Sequence, residues 1–372
     1  MRYLHVLLLV APLLASGQGQ QPQGDADKLL RQGTDAQLHG DFNTAIDDYR
    51  KVLRLRPDMG EARANLGAAL AAAGQFDAAI EEDKRALLNA PDKISVRMNL
   101  ALAYYKKGDL DLGRPEFEAV LAARPHDISA ATLLGYTYLK LGKGSAALAA
   151  LAPLEVGHET NTDFEFVLAS AMLQVGKEEE GLARMEKVAR ATRSADAYVI
   201  AGDTRLRRRE FHQARSDLDA ALELNPSLQG LYTLAGQARD ALGDSDAAAK
   251  AFAAALRADP NDFTANLYLG ALRLKQRDLE GARPLLESAL KHQPGMPQAR
   301  FQMAKLNAMT GKYAEAATAL EDLEKADPAW LDPHVELAAL YYKLHRPEDG
   351  QRERQIVDAI EARQQKSGPP KE

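Results

Sequence analysis

Seven prolines constrain what this chain can fold into. Pro57, Pro91 and Pro125 stand 34 residues apart, and so do Pro226, Pro260, Pro294 and Pro328. A constant period of this length means one supersecondary unit stacked repeatedly, each burying its apolar face against the next. Glycines keep the same beat at Gly40, Gly74, Gly108, Gly142 and Gly176, then, one residue short, at Gly243 and Gly311. Within a period, apolar residues return at i+3 and i+4, the spacing of an amphipathic helix. In the second period Leu66 and Leu70 share one such stretch, while Ala79, Ile80 and Ala86 share another. Glycine between the stretches stops the first helix because it readily adopts positive φ. Proline ends the second because it cannot continue the backbone hydrogen-bond ladder. Asp92, Ser227 and Asn261 follow such prolines and are placed to cap the next helix.

Two further positions are small throughout. The eighth residue of each unit is glycine or alanine, from Gly33 and Gly67 through Gly135 and Gly202 to Ala338. The twentieth includes Ala45, Ala79, Ala147, Ala214, Ala248, Ala282 and Ala316. Small residues at both places let the two helices of a unit cross closely. Length, small residues at eight and twenty, glycine at fifteen and proline at thirty-two together resemble the tetratricopeptide repeat family. The resemblance implies an all-α fold, a right-handed superhelical solenoid of about ten helix-turn-helix units. Their starts fall near Ala26, Gly60, Ile94, Ile128, Thr162, Ala195, Gln229, Phe263, Pro297 and Leu331. Some units depart from the pattern. Arg193 stands for a proline, Arg209, Arg277 and His345 stand for the glycine, and the tenth unit lacks its closing proline, as suits a polar cap.

The resulting layout is a signal segment over residues 1–17, a linker over 18–25, units one to four over 26–161, units five to ten over 162–362 and a flexible tail over 363–372. Arg2, the apolar run from Leu4 to Leu14 and the small residues Ala15-Ser16-Gly17 carry the secretory reading. That run is short for a bilayer span, so the mature chain is expected to have none. With no cysteine, disulfides, thiolate metal sites and a lipid-bearing cysteine are excluded. The setting expected is a bacterial periplasm or the outside medium. Pro153 falls late in a second helix and should break it, and residues 156–162 then read as a soft joint. A net charge of −6 gives the chain as a whole no electrostatic attraction to nucleic acid.

In repeats of this family the first helices line a concave groove that holds an extended peptide or a partner helix. The resemblance places the groove residues at positions two, five, nine, twelve and thirteen. In units three to five these select Met98, Leu102, Tyr105, Thr132, Tyr136, Leu139, Phe166 and Leu173, with Lys106 and Lys140 at the edge. Aromatic anchors of this kind suit a contact surface. Asn65 and Asn99, both at position six, could extend an amide ladder to a peptide backbone. A protein or peptide is therefore the expected partner. A second candidate is the row Arg205, Arg239 and Arg273 at position eleven, flanked by Arg207 and Arg208, where the family usually has tyrosine. Arginine forks match oxyanions, so an anionic peptide, glycan or lipid head group is the alternative ligand. The competing reading has the arginine stems packed between helices and their heads meeting water or nearby acids such as Asp203 and Asp240.

Signals for catalysis are weak. No His-Glu-x-x-His or Gly-x-Ser-x-Gly motif occurs, and Gly142-Lys143-Gly144-Ser145 lacks the upstream glycine of a phosphate loop. No cofactor, metal or catalytic residue is expected. His334, Tyr341 and His345 could share a face of the last unit, with the histidines read as surface residues. Trp330 is expected to pack under that unit.

Overall fold

A computed structural model describes the backbone of residues 22–367 and the side chains of residues 24–363. Among them are twenty α-helices and no strand, in ten consecutive pairs. The first three pairs are α1 (Pro22–Leu38) with α2 (Phe42–Leu55), α3 (Gly60–Ala72) with α4 (Phe76–Asn89), and α5 (Lys93–Lys107) with α6 (Leu110–Ala123). Next come α7 (Ile128–Lys140) with α8 (Gly144–Leu151), and α9 (Thr162–Gln174) with α10 (Glu178–Thr192). Then follow α11 (Ala195–Arg207) with α12 (Phe211–Leu224), and α13 (Leu231–Ala241) with α14 (Ser245–Ala258). The last pairs are α15 (Phe263–Lys275) with α16 (Leu279–His292), α17 (Pro297–Met309) with α18 (Tyr313–Ala326), and α19 (Leu331–Lys343) with α20 (Pro347–Ser367). The chain divides into two compact units, one up to Ile200 and one from Ala201.

The turn inside each pair is built identically. After α3 the Gly74 N–H donates to the Ala71 carbonyl and the Gln75 N–H to the Leu70 carbonyl. This is the Schellman arrangement, which needs a left-handed residue at its pivot. All ten first helices close with this pair of bonds. Seven pivots are glycine, but Arg209, Arg277 and His345 hold the same conformation at φ 63°, 61° and 59°. A side chain there costs about 1–2 kcal/mol, so the turn is imposed by the packing of the two helices it joins.

Packing also explains the small residue at position eight. It makes room for one large side chain, at position twenty-four of the paired helix. A Cβ on Gly236 would lie 2.5 Å from the Phe252 ring, and one on Gly270 would lie 2.7 Å from Leu286. Tyr49, Phe117, Leu151, Met185, Leu218, Phe252 and Leu286 fill this place and are completely buried. Burying each such side chain contributes about 1.5–3 kcal/mol. Unit ten has exposed Arg354 in this place, and unit two has Asp83 buried against Gly67, with neither carboxylate oxygen hydrogen-bonded among the described residues. Desolvation, then the neighbouring Glu82, push the Asp83 pKa well above the usual carboxylate range.

Several sequence expectations change. Of the predicted signal, residues 1–17 lie outside the described residues, as do 18–21 of the linker. Residues 22–25 belong to α1, and residues 363–367 of the predicted tail belong to α20. Asp92 does cap its helix, accepting from the Ile94 and Ser95 N–H groups. Ser227 and Asn261 do not: their own N–H groups donate to Asn225 and Asp259, and Asp262 caps α15. Pro153 stands in a 3-10 turn, Ala152–Leu154, that ends α8 after eight residues. The stretch after it lies within the first compact unit. Leu151 and Leu154 there share a core with Phe164, Val167 and Leu168, bridging the expected joint.

Candidate functional site

A cavity of about 560 Å³ opens across four successive first helices, α5, α7, α9 and α11, wholly within the first compact unit. It crosses them obliquely. The late residues of α5 and α7 contribute Tyr105, Lys106, Tyr136, Leu139 and Lys140. Residues along α9 contribute Asp163, Phe166, Val167, Ser170 and Gln174. The opening turns of α11 contribute Asp196, Val199 and Ile200. Positions twelve and thirteen of one unit and positions two and five of a later unit therefore meet in one depression.

The apolar wall is held rigidly from behind. Tyr136, Leu139 and Phe166 pack one side against the core of Leu151, Phe164 and Leu168, and Tyr105 against that of Phe117 and Leu134. The Tyr105 and Tyr136 rings meet edge to face with centroids 5.9 Å apart. This arrangement places a ring edge on a π face, the favoured contact of two aromatics. Burial and the Tyr136 hydroxyl push the Tyr105 pKa up, and burial then the Asp196 charge raise that of Tyr136. Both phenols therefore stay protonated at neutral pH.

The lysines come from the ends of α5 and α7, the acids from the first turns of α9 and α11. The Lys140 ammonium sits 5.4 Å from the Tyr136 ring centroid, within cation–π range. Among the described residues, neither Lys106 nor Lys140 has a carboxylate partner. At the start of α9, partial burial pushes the Asp163 pKa up. The depression thus offers an aromatic floor, two available cations and acidic groups beyond them.

Half of the predicted groove residues are brought together here: Tyr105, Lys106, Tyr136, Leu139, Lys140 and Phe166. The others lie elsewhere. Met98 and Leu102 pack with Phe117 and Leu133. Thr132 is buried and donates its hydroxyl to the Ile128 carbonyl. Leu173 turns toward α10, where a Cβ on Gly181 would approach it to 2.8 Å. Asn65 and Asn99 are buried too, so they form no exposed amide ladder. Position six faces the preceding unit, as Val167 does at 3.1 Å from a Cβ built on Gly135. Sequence reasoning passed over Asp163, Ser170 and Gln174, which stand at positions two, nine and thirteen of unit five but are polar. It missed the α11 residues because only stacking carries α11 to the groove of the units before it.

The arginine row proves to be paired. Arg205 bonds Asp217, Arg239 bonds Asp219 and the Ala235 carbonyl, and Arg273 faces Asp278 at 3.2 Å. Arg207 pairs with Asp203 at 2.9 Å and Arg208 with Glu210 at 2.6 Å. Arg239 reaches an acid twenty residues back in the preceding unit. Tyr138 and Tyr341, at the same position eleven, donate to Glu118 and Glu321 over the same interval. At position eleven Arg239 fastens its unit to the one before, as Tyr138 and Tyr341 do, whereas Arg205 and Arg273 pair within their own units.

Profiles of the tetratricopeptide repeat match residues 30–94, 98–154, 233–297 and 273–340, more than half of the sequence. The chain belongs to the tetratricopeptide repeat family. Among solved structures it is similar to a tetratricopeptide repeat protein from Parabacteroides merdae, with 18% identity and a TM-score of 0.52. That match covers 68% of this chain and 99% of the other, and shows a shared fold. Yeast Tom70 matches 93% of this chain and 97% of its own at 14% identity and a TM-score of 0.38. YrrB, described as a repeat protein with an unusual peptide-binding site, matches 52% of this chain and 97% of its own at 21% identity and a TM-score of 0.45. Among curated proteins no relative matches. The repeat fold implies a scaffold for protein or peptide partners. No helix among the described residues is long and apolar enough to cross a membrane.

Proposed function

We propose that this scaffold holds an extended peptide segment of a partner protein in the depression across α5, α7, α9 and α11. One observation carries the reading: aromatic rings left partly uncovered stand beside two lysines that no carboxylate of the described residues neutralises. Uncovered apolar surface in a concave site gains by being buried, and aromatic side chains serve as anchors there. The segment that fits carries a bulky apolar side chain for Tyr105, Tyr136 and Phe166. An acidic residue beside it would meet Lys106 and Lys140. From the pattern of residues 1–17 we place this activity outside the cytoplasm, in envelope assembly, secretion or polysaccharide export.

Affinity capture from an envelope extract at low and high salt, run in parallel with variants, tests the reading. A discrete protein should be retained in high salt and lost when Tyr105, Tyr136 and Phe166 are replaced by alanine. Capture that survives those changes, or that salt disperses and Arg239→Gln with Arg273→Gln abolishes, would overturn it in favour of an anionic ligand.

A further inference from the structure

Four units share an ion pair nineteen residues apart, linking position four of the first helix to position twenty-three of the second. Arg63 pairs with Glu82 at 2.6 Å, Arg97 with Glu116 at 2.5 Å, and Glu165 with Arg184 at 2.9 Å. In the last unit the pair is His334 and Glu353, with imidazole Nδ1 2.7 Å from Oε2. Two of these pairs recruit a third charge, from position twenty-eight of the preceding unit. Arg184 thereby meets Glu155 as well as Glu165. His334 meets Glu324, whose Oε1 lies 4.0 Å from Nδ1.

The two triads are built alike but differ chemically. A guanidinium stays charged and cannot ligate a metal, whereas an imidazole nitrogen can. His334 is buried, contrary to the surface position expected for it. Its Nε2 faces the Pro328 carbonyl at 3.2 Å, which fixes the ring and aims Nδ1 between the carboxylates. A backbone carbonyl on the far nitrogen is the usual means of orienting a metal-binding histidine.

We propose that Glu324, His334 and Glu353 bind one divalent transition-metal ion, zinc, tying α18, α19 and α20 together. The three donor atoms lie within 4.8 Å of one another. Two donors each about 2.1 Å from one zinc at a tetrahedral angle stand ~3.4 Å apart. The observed 2.7 and 4.0 Å bracket that separation, so small side-chain rotations suffice. With Nε2–H donating to the Pro328 carbonyl, the ion takes the Nδ1 lone pair, any proton there leaves to solvent, and its +2 charge balances the two carboxylates. Glu324 is the partly exposed member, at 27%, and provides the entry path. Nearby Glu321 is occupied by Tyr341 and Arg346, and so does not compete for the ion.

The test is calorimetric titration of zinc chloride into the full chain after chelator treatment. One zinc per chain is expected, with a matching rise in melting temperature. Glu324→Gln should weaken it at least about tenfold. His334→Arg should abolish it while preserving the fold, since arginine fills the same slot in Arg63 and Arg97. No zinc uptake by the parent chain, or equal uptake by the parent and Glu324→Gln, would overturn the proposal and leave only a salt-bridge triad. Should His334→Arg fail to fold, Glu324→Gln decides alone, because its partly exposed site tolerates the isosteric amide.

Discussion

The depression across α5 to α11 and the arginine row at position eleven both lie on first helices, yet their charges live differently. In the depression neither Lys106 nor Lys140 has a carboxylate partner among the described residues, and the rings next to them are partly open. In the row every arginine has an acid, and Arg205 is only 14% exposed. One or two residues along the helix make the difference. Position eleven points toward a second helix carrying acids, while positions twelve and thirteen point into the concavity. A line of like charges in a sequence is therefore no evidence of a ligand site until the neighbouring unit is known.

The largest effect is expected at the aromatic floor. Replacing Tyr105, Tyr136 and Phe166 by alanine should weaken partner binding about a thousandfold, ~4 kcal/mol, as measured by titration with the captured partner. On the other side, Arg205→Gln should leave that affinity unchanged and lower stability by about 2 kcal/mol in urea unfolding, because it removes the charged hydrogen bond to buried Asp217. Stability unchanged in this variant would return the row to the class of available cations.

Asp83 sharpens the contrast, as a charged residue in the core with neither available ligand nor partner. Asp83→Leu should raise stability by about 2 kcal/mol at neutral pH, since leucine fills this place in other units. The sign with pH follows from the raised pKa. The folded state keeps the proton longer than the unfolded one, so the parent loses stability as pH rises through the folded-state pKa. The gain from leucine should accordingly shrink on acidification and level off below pH ~3, where the unfolded state, with its carboxyl pKa of about 3.9, is protonated as well. A pH-independent gain would mean that Asp83 has the same pKa folded and unfolded, against the shift expected from its burial. The smallest effect is expected at a turn: Arg277→Gly should stabilise by about 1 kcal/mol, measured by thermal unfolding, by relieving a left-handed side chain.

Much of this architecture was legible from spacing alone. The ten units, their paired helices and the left-handed turns follow from glycine, proline and small residues, because backbone conformation and helix crossing are local demands. Even Arg209, Arg277 and His345 could be located as pivots by counting. The groove was half legible: Tyr105, Tyr136 and Phe166 could be selected by register, but Leu102, Thr132 and Leu173 in that same set turned out to be packed. Register gives a direction from the helix axis, and whether a neighbour covers that direction depends on the superhelical twist.

The repeating unit follows from the 34-residue period, which leaves few other ways to bury the apolar faces. Which charges meet is set by how the helices stack. Asp219 and Arg239, or Glu324, His334 and Glu353, come from different helices and, in part, different units. Their contact energy depends on separations of a few ångströms that no spacing along the chain encodes.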